Sequence, residues 1–486
     1  MNTSEIKRNI KKNLFENLNK INGVLSITIV GSFINKKNLS GISDIDTVVI
    51  SDNLNKGLFD SCLNAVENID LKKCGLENFS LKINSTFGPL KYDSSNLAVV
   101  HLMIYDLKGH RSHVINSPFT CFDWERSKTN KGLDLKEIFP VGRLQFRDFT
   151  EVRRSIENYI QDLKDNIISY REYDFHEKDV VEIKKKKPLD RLHQGEYAYH
   201  IVRNLLANYL KLCNNRNDSF TESEIKSEIK RIFRRNGDKY VKRYDQITII
   251  KSQRSENYPA DTINWVQEFI DKFQGAISSE WKDAVPIYFL RHYKTNSNDG
   301  TYLGQGRDPG IDKLSQSYPN CQKVTQIYSS PMRRCIETAH KIWKDQKIKI
   351  DDKLIEINYG QAEGLVYNKL AKRNPEIIKA WDSGDDPCFP DGENTDDVFK
   401  RLKYFLKSIE KKIKINNKGS FGIVSHNVVL RCLIGDAFGL DKKNWYKLVI
   451  PHGVPLEFLY RDNQFYPNIP REIWDQILQN IGYSLT

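Results

Sequence analysis

The stretch Ile287-Tyr-Phe-Leu-Arg291-His292 decides the fold of the C-terminal part of this chain. A short apolar run is typical of a buried strand in a parallel sheet, and this one ends on an arginine and a histidine. A second run, Ile423-Val-Ser-His426, ends on another histidine. Open α/β sheets bind ligands in the crevice outside the carboxyl ends of their strands. We therefore expect both histidines in that crevice.

Further motifs lie between these two strands. They are Ser330-Pro-Met-Arg-Arg334-Cys-Ile-Glu-Thr-Ala, Leu354-Ile-Glu356-Ile-Asn-Tyr-Gly-Gln-Ala-Glu-Gly and Gly392-Glu-Asn. A histidine can accept a phosphoryl group covalently, an arginine fork suits phosphate oxygens, and a carboxylic acid can protonate a leaving alcohol. Two histidines, two arginines and a glutamate in this order indicate phosphoryl transfer through a phosphohistidine.

This set of motifs resembles the histidine phosphatase (phosphoglycerate mutase-like) superfamily, and the resemblance covers about residues 285–466. It implies a three-layer α/β domain that hydrolyses a phosphomonoester and needs no metal. His292 would be the nucleophile, and Arg291, Arg334 and His426 would bind the phosphoryl oxygens. Glu356 would protonate the leaving group.

Several positions depart from the pattern of that superfamily. Tyr293 replaces the usual glycine after Arg-His, and Asn394 replaces the serine that usually follows Gly-Glu. Ala362 replaces a common tryptophan, and Asn427 follows His426 where glycine is frequent. Glu363 is an alternative acid, although position favours Glu356. These departures bear on substrate choice more than on the reaction, and hydrolysis is favoured over mutase activity.

The N-terminal part has a second cluster of polar residues. The apolar strand Leu25–Val30 leads directly into Gly31 and Ser32, and Asp44 and Asp46 precede the next apolar run. A glycine allows the backbone to turn tightly beside a phosphate, and a serine offers a hydroxyl and an amide. Residues two apart on a strand point to the same face, so both carboxylates can reach one metal cluster.

Gly-Ser followed by Asp-x-Asp looks like the polymerase-beta-type nucleotidyltransferase superfamily. The resemblance implies that Gly31 and Ser32 bind an NTP. It also implies that Asp44 and Asp46 bind Mg²⁺, which prefers a few carboxylates together with phosphate and water. An ordinary acidic turn is the alternative interpretation of the two aspartates.

The third carboxylate of that superfamily has no clear counterpart. In the expected strand, His101 stands near the position where an aspartate is expected, and Asp106 lies at the strand end on the opposite face. Either Asp106 or another residue completes the site, or the transferase is altered or inactive.

The chain is long enough for about two to four domains. We predict a multidomain α+β and α/β protein, with a small mixed-sheet nucleotidyltransferase-like domain at 1–150. A helical bundle at 151–280 and a histidine phosphatase domain at 281–486 follow. Within the bundle we expect an exposed link from Tyr173 to Arg191, with Lys184–Lys187 in a solvated loop.

Helically spaced apolar residues fill much of the bundle region. Glu196, Tyr199 and Arg203 fall on one of its helices. They are candidates to line a substrate cleft, because a helical bundle often follows the nucleotidyltransferase fold. A plain amphipathic surface explains the same three residues.

Composition narrows the class of protein. Hydrophobic residues make up 39% of the chain, and the formal net charge is +12. The eight cysteines are scattered without a Cys-x-x-Cys pair, which favours reduced thiols. No window is apolar enough for a membrane span, and the N-terminus has no signal-peptide core. We therefore expect a cytoplasmic protein with no membrane partner; a nucleic-acid partner is the less favoured alternative.

The leading hypothesis from sequence is a bifunctional enzyme. Its C-terminal domain would hydrolyse a phosphomonoester through a phosphohistidine. Its N-terminal half would transfer a nucleotidyl group from an NTP to a small-molecule acceptor with Mg²⁺. Two alternatives remain open: a phosphatase with a non-catalytic nucleotide-binding half, and a nucleotidyltransferase that acts on RNA or protein.

Overall fold

The computed structural model divides the chain into two compact units. The first contains residues 1–144, 148–279 and 482–486, and the second contains residues 145–147 and 280–481. The structure describes residues 2–483 except 36–38, 40–41, 43, 93–95, 118–123, 125–126, 128–130, 141, 151–153, 178–179, 215–219, 254, 313–322, 345 and 417–418. The N-terminal sheet and the helical block belong to one unit, and their separation into two domains stays a prediction.

A five-stranded mixed sheet organises the first unit. Its strands are β1 (Val24–Val30), β2 (Ile45–Ser51), β3 (Ser80–Asn84), β4 (Leu97–Asp106) and β5 (Lys131–Gly132). The spatial order is β3-β4-β2-β1-β5. β2 and β3 run parallel to β4, whereas β1 runs antiparallel to β2 and β5. The predicted small mixed sheet is confirmed.

Helices surround this sheet and fill the block that follows it. Up to residue 281 they are α1 (Thr3–Leu18), α2 (Ser32–Asn35), α3 (Lys56–Glu67), α4 (Leu107–Asn116), α5 (Leu135–Ile138), α6 (Phe146–Thr150), α7 (Arg154–Asp165), α8 (Arg191–Asn214), α9 (Glu222–Phe233), α10 (Gly237–Ser252) and α11 (Thr262–Trp281). A short 3₁₀ helix covers Arg234–Asn236. Helix α1 packs Ile10, Leu14 and Leu18 into the core of the sheet.

The expected link from Tyr173 to Arg191 was wrong. Strands β6 (Ile167–Phe175) and β7 (Val180–Pro188) pair there as an antiparallel two-stranded sheet. Lys184–Lys187 therefore belong to a strand and not to a loop. Aromatic side chains explain the difference, because Tyr173 and Phe175 pack against the sheet core and fix the hairpin. Local charge gave no sign of that packing.

A six-stranded sheet organises the second unit. Its strands are β8 (Val285–Arg291), β9 (Gln326–Ser329), β10 (Ile348–Ile350), β11 (Phe421–Ser425), β12 (Leu456–Arg461) and β13 (Gln464–Pro467). The order β10-β9-β11-β8 is parallel throughout, and β12 and β13 add an antiparallel edge beside β8. The expectation of a mostly parallel α/β sheet is confirmed.

The helices of this second sheet follow its strands. They are α12 (Arg333–Ile342), α13 (Tyr367–Arg373), α14 (Pro375–Asp382), α15 (Thr395–Asn416), α16 (Asn427–Ala437) and α17 (Arg471–Ile477), with 3₁₀ helices at Asp352–Leu354, Gly360–Ala362 and Lys442–Lys447. Among the residues described, no helix is both long and apolar enough to cross a membrane.

Candidate active sites

The first candidate site lies where neighbouring parallel strands of the second unit end. β8 and β11 pair with Ser425 opposite Arg291, and the next residue on each strand is a histidine. The rings of His292 and His426 are consequently neighbours, with 5.3 Å between their centroids. Both histidines are buried. The parallel register thus brings together two residues that are distant in sequence, as expected.

Hydrogen bonds fix the protonation state of His292. Its Nδ1 lies 2.6 Å from the carbonyl oxygen of Tyr293, and a carbonyl can only accept, so Nδ1 donates. The lone pair is left on Nε2. Burial, together with the charges of Arg291 and Arg334, holds the pKa of His292 well below its usual value. The imidazole is therefore neutral, with one nucleophilic nitrogen.

Arg334 orients the second histidine. Its Nε donates to Nδ1 of His426 over 3.3 Å, so the proton of that ring lies on Nε2, 2.7 Å from the hydroxyl of Ser330. The other nitrogens of Arg334 donate to the carbonyl oxygens of Arg307 and Gly304. Its side chain is fully buried. Burial and the charge of Arg334 hold the pKa of His426 well below its usual value.

Arg291 retains more donor capacity than Arg334. One terminal nitrogen donates to the carbonyl oxygen of Ile450 over 2.8 Å. Its Nε is buried and has no hydrogen-bond partner among the described residues. An unpaired buried donor costs about 1–3 kcal/mol, a cost that a bound phosphate oxygen would remove. Burial lowers the pKa of Arg291 to about 10, so the guanidinium stays charged near neutral pH.

The side chain of Glu356 contacts the first turn of α16, the helix that follows His426. Its oxygens accept the backbone N–H groups of Ile357, Asn427 and Val428 over 3.0–3.2 Å. Burial raises the pKa of Glu356, opposed by the N–H of Ile357 and by the charge of Arg334. A carboxyl group with a raised pKa beside two buried histidines suits proton donation.

Glu363 has a different position from Glu356. Its carboxylate accepts the backbone N–H of Gly304 over 3.0 Å and contacts Arg307 at 3.4 Å. Glu363 therefore holds the loop whose carbonyl oxygens bind Arg334. These contacts support Glu356 as the acid.

Two departures from the superfamily pattern have a physical explanation. The ring of Tyr293 is buried against Gly453, where an added Cβ would lie 2.1 Å from it, so this glycine makes room for the tyrosine. The side chain of Asn394 accepts the N–H of Asp397 over 3.0 Å at the start of α15. Asparagine and serine are both strong N-cap residues, so the exchange preserves the cap.

The second candidate site lies in the first unit, where the end of β1, the beginning of β2 and the middle of β4 are neighbours. The register places Val30 opposite Asp46 and Asp46 opposite His101. Gly31, the next residue after β1, has φ +73, and a Cβ there would lie 2.5 Å from an oxygen of Asp46. Only glycine allows this approach. Gly31 is thereby brought beside Asp46, and the roles of Gly31, Ser32 and the Asp-x-Asp pair stay predictions.

Two basic side chains contact the aspartates, of which Asp44 is buried and Asp46 is half-buried. The ammonium of Lys91 contacts Asp44, and Nδ1 of His101 lies 3.0 Å from Asp46. Burial opposes the charges of both cations, but the two aspartates outweigh it and raise the pKa of each. The side-chain ligand atoms of Asp44, Asp46 and His101 all lie within 4.8 Å of one another. Together they can hold a divalent cation.

Asp106 was left open as a third metal ligand, and it lies opposite Ser51 on β2 and not opposite Asp46. It is the N-cap of α4, where its side chain accepts the backbone N–H of Gly109. His101, and not Asp106, lies beside the pair Asp44 and Asp46, because it is in register with Asp46 on the neighbouring strand. The alternation of strand faces had already separated Asp106 from His101.

The proposed cleft residues of the helical block form ion pairs. Glu196 contacts His200 at 3.2 Å and Lys251 at 3.4 Å, and Arg203 contacts Glu222 at 2.9 Å. Burial would raise the pKa of Glu196, but a hydrogen bond with His200 and the charge of Lys251 lower it to about 2. The ring of Tyr199 stacks 6.3 Å from that of Tyr244. That these residues line a cleft stays a prediction.

Sequence reasoning missed two residues at these sites. Lys91 gave no local signal, since a single lysine after a proline-containing loop is unremarkable. His452 lies in a loop before β12, and its Nδ1 donates over 2.8 Å to the carbonyl oxygen of His292. Both are found only through tertiary contacts.

Comparison with known proteins agrees with both family resemblances. Residues 287–466 match the histidine phosphatase superfamily (branch 1), and residues 11–87 match a nucleotidyltransferase domain. The chain belongs to the histidine phosphatase superfamily and has a nucleotidyltransferase domain at its N-terminal end. It is an enzyme.

Individual relatives resemble the C-terminal part. Phosphoglycerate mutase-like protein 4 of Arabidopsis thaliana is 30% identical over 174 residues, which cover 33% of this chain and 74% of that protein. Phosphoserine phosphatase 1 of Hydrogenobacter thermophilus is 26% identical over 173 residues, which cover 33% of this chain and 80% of that protein. The solved alpha-ribazole phosphatase of Shigella flexneri is 19% identical, with a TM-score of 0.32, and the match covers 38% of this chain and 97% of that one.

Proposed function

We propose that this protein is a bifunctional enzyme. Its C-terminal domain hydrolyses a phosphomonoester of a small molecule through a phosphohistidine, without a metal. Its N-terminal domain transfers a nucleotidyl group from an NTP to a small-molecule acceptor, with Mg²⁺ bound by Asp44 and Asp46. The observation that carries the phosphatase proposal is the buried, neutral His292, whose Nδ1 proton is bound by the carbonyl of Tyr293.

The first chemical step uses Nε2 of His292. Its lone pair forms a bond to phosphorus while the bond from phosphorus to the ester oxygen breaks. Arg291, Arg334 and His426 donate hydrogen bonds to the phosphoryl oxygens, whose charge they stabilise in the transition state. Glu356 gives its proton to the departing alkoxide, so the product leaves as a neutral alcohol.

The second step reverses the roles at the same atoms. Glu356, now a carboxylate, takes a proton from a water molecule while the water oxygen bonds to phosphorus. The bond between phosphorus and Nε2 breaks, inorganic phosphate leaves, and Glu356 is again protonated. Arg291 keeps the phosphoryl group in place through both steps, because its unpartnered Nε can bind an oxygen in each.

For the N-terminal site, the chain's own residues bind and orient the NTP. Gly31 and Ser32 bring backbone N–H groups and a hydroxyl close to the triphosphate. Asp44 and Asp46 would hold Mg²⁺, which would supply positive charge to stabilise the reacting phosphoryl group. Lys91 and His101 hold the aspartates in position.

One rival function has a specific observation in its favour. Lys91 and His101 already contact Asp44 and Asp46, so both carboxylates have partners without a metal. Such a site could bind a nucleotide and catalyse nothing. In that case the chain would be a phosphatase with a nucleotide-binding first domain.

Mass spectrometry of a metabolite extract tests the proposal. The extract is incubated with Mg²⁺, mixed NTPs and the full chain, as wild type, Asp46→Asn or His292→Ala. We expect a nucleotidylated product that Asp46→Asn alone loses, and a dephosphorylation that His292→Ala alone loses. Asp106→Asn is the matched control, because it changes a carboxylate on the same sheet that only caps a helix. Hydrolysis that survives in His292→Ala would contradict the phosphatase assignment, and a product unaffected by Asp46→Asn would contradict the transferase.

A further inference from the structure

We propose that His101 is a direct metal ligand, so that the N-terminal site is a two-aspartate, one-histidine centre that prefers a first-row transition ion to Mg²⁺. This inference rests on the proposed function of that site. It concerns a position at which nucleotidyltransferases of this type are expected to have a carboxylate, and residues 11–87, which match that domain, end before it.

The sheet register fixes the three donors. Asp46 lies opposite His101 on two parallel neighbours, and Asp44 lies two residues earlier on the same segment. All three side chains offer ligand atoms within 4.8 Å of one another. Asp44 and His101 are buried, so a cation between them would lose much of its water shell and depend on protein ligands.

The orientation of His101 is the second argument. Its Nε2 lies 2.9 Å from the carbonyl oxygen of Thr86, which can only accept, so Nε2 donates. Thr86 is itself held by the side chain of Asn84 over 2.8 Å. This is how proteins hold a metal-binding histidine: one ring nitrogen donates to a carbonyl, and the other faces the metal. The nitrogen that faces the aspartates is Nδ1.

The donor set decides which ion is preferred. Mg²⁺ requires oxygen ligands in near-octahedral geometry and gives up its water reluctantly. An imidazole ligand instead favours first-row transition ions, whose affinity for nitrogen donors exceeds that of Mg²⁺. The replacement of a carboxylate by His101 therefore removes one negative charge and one oxygen donor that Mg²⁺ would use.

An arrangement without metal, in which Lys91 takes part, competes with binding of an ion. Its ammonium contacts Asp44 while His101 contacts Asp46, and this pairing satisfies both carboxylates without any ion. If the pairing is permanent, added metal will not bind with the two aspartates and His101. The two arrangements therefore differ in a directly measurable property, the presence of a nitrogen ligand on a bound ion.

Electron paramagnetic resonance with Mn²⁺ alone as the probe tests the proposal. The full chain is freed of metal with a chelator and titrated with Mn²⁺, and spin-echo modulation is recorded on the bound ion. We expect modulation from a directly bound imidazole nitrogen in the wild type. This measurement needs no variant, so it does not depend on whether a substitution folds. Mn²⁺ that fails to bind, or that binds without nitrogen modulation, overturns the proposal.

Variants then identify the ligand and its effect on ion choice. His101→Asp should lose the nitrogen modulation and shift the ratio of Mn²⁺ to Mg²⁺ affinity towards Mg²⁺ by at least about tenfold, the scale seen even for outer partners of metal ligands. Asp106→Asn should change neither, and circular dichroism checks the fold of both variants. An unchanged affinity ratio in a folded His101→Asp protein contradicts the proposal.

The two proposals for this site can fail separately. Nitrogen modulation without any nucleotidyl transfer would keep the metal centre and reject the transferase. Transfer that is supported by Mg²⁺, in a protein whose bound Mn²⁺ shows no nitrogen ligand, would keep the transferase and reject His101 as a ligand.

Discussion

At the scale of single residues, the hydrogen-bond partners of each histidine decide which of its ring nitrogens carry a proton. The carbonyl of Tyr293 forces the proton of His292 onto Nδ1, and the N–H of Arg334 forces the proton of His426 onto Nε2. His101 instead has acceptors on both sides, the carbonyl of Thr86 and the carboxylate of Asp46. The same residue type is therefore neutral in one hydrogen-bonding environment and, in the absence of metal, a cation in the other.

Glu356→Gln should separate the acid step from phosphate binding. An amide keeps the size of the side chain but has no acidic proton to give to the leaving alkoxide. We expect phosphates of aliphatic alcohols to lose about 10²–10⁴-fold in rate, the usual worth of a general acid. Para-nitrophenyl phosphate should lose much less, because its leaving group is stable as an anion. Stopped-flow measurement of both substrates checks this, and equal losses would contradict the role of Glu356.

The pKa directions predict how phosphorylation of His292 depends on pH. The pKa of His292 lies well below its usual value, so the nucleophile stays neutral at mildly acidic pH. The pKa of Glu356 is raised by burial, so its acidic form persists to higher pH than that of an ordinary glutamate. Single-turnover rates with an aliphatic phosphate should therefore stay high through mildly acidic pH and fall as pH rises through the pKa of Glu356. A rate that rises over that range would contradict the assignment.

At the scale of elements, strand ends and helix starts build the phosphatase site. β8, β9 and β11 end side by side and deliver His292, Ser330 and His426 to one edge. Helix α16 begins directly after His426, and its first N–H groups bind Glu356. These N–H groups are the ones that no turn of the helix can satisfy. Secondary structure thus positions the acid beside the second histidine.

The N-cap of α15 offers a stability test with a matched control. Asn394→Ala removes the acceptor for the N–H of Asp397 and should cost about 0.5–2 kcal/mol in the free energy of unfolding. Asn394→Ser should cost much less, since a serine hydroxyl caps the same position. Urea unfolding followed by circular dichroism compares the two. Equal stability of the alanine and serine variants would rule out this capping role.

The packing of Tyr293 on Gly453 gives a second stability test. In Gly453→Ala, the new Cβ would lie 2.1 Å from the tyrosine ring, at a residue with φ +68. Gly300→Ala is the control, because its φ of +88 brings similar backbone strain but no atom within 4 Å. We expect Gly453→Ala to lower the free energy of unfolding by about 1–3 kcal/mol more than the control. Equal losses of unfolding free energy in the two variants would contradict this prediction, because they would show that the tyrosine ring moves aside without destabilising the fold.

At the scale of the whole molecule, the two main features are the division into two compact units and the net positive charge. The first unit combines a mixed nucleotidyltransferase sheet with a helical block, and the second is a mostly parallel α/β sheet. The formal charge of +12 includes the run Lys184–Lys187, most of which is exposed on β7. A charge excess of this kind attracts any polyanion weakly, so it does not by itself identify a nucleic-acid partner.

Salt dependence should distinguish general attraction from a specific nucleic-acid site. We expect single-stranded RNA to bind the full chain at low salt and to be released near about 0.15 M, as for non-specific binding. Lys184→Ala with Lys186→Ala should reduce the salt slope by about one for each phosphate that the protein no longer neutralises. Filter binding over a range of salt measures both. RNA binding that persists at physiological salt would favour the alternative of a macromolecular acceptor.

The sequence by itself determined the two families and the candidate residues of each site. Apolar runs that end on polar residues are local signals, so the Arg-His and Ser-His strand ends and the Gly-Ser and Asp-x-Asp motifs could all be found from spacing. Tertiary structure alone decided which groups meet them. Lys91, His452 and the pairing of Asp46 with His101 depend on the register between strands, which is set by long-range packing. The hairpin of β6 and β7 was missed for the same reason, because its aromatic side chains pack against a core that is distant in sequence. The capping role of Asp106 is local, since the N–H group that it accepts belongs to Gly109.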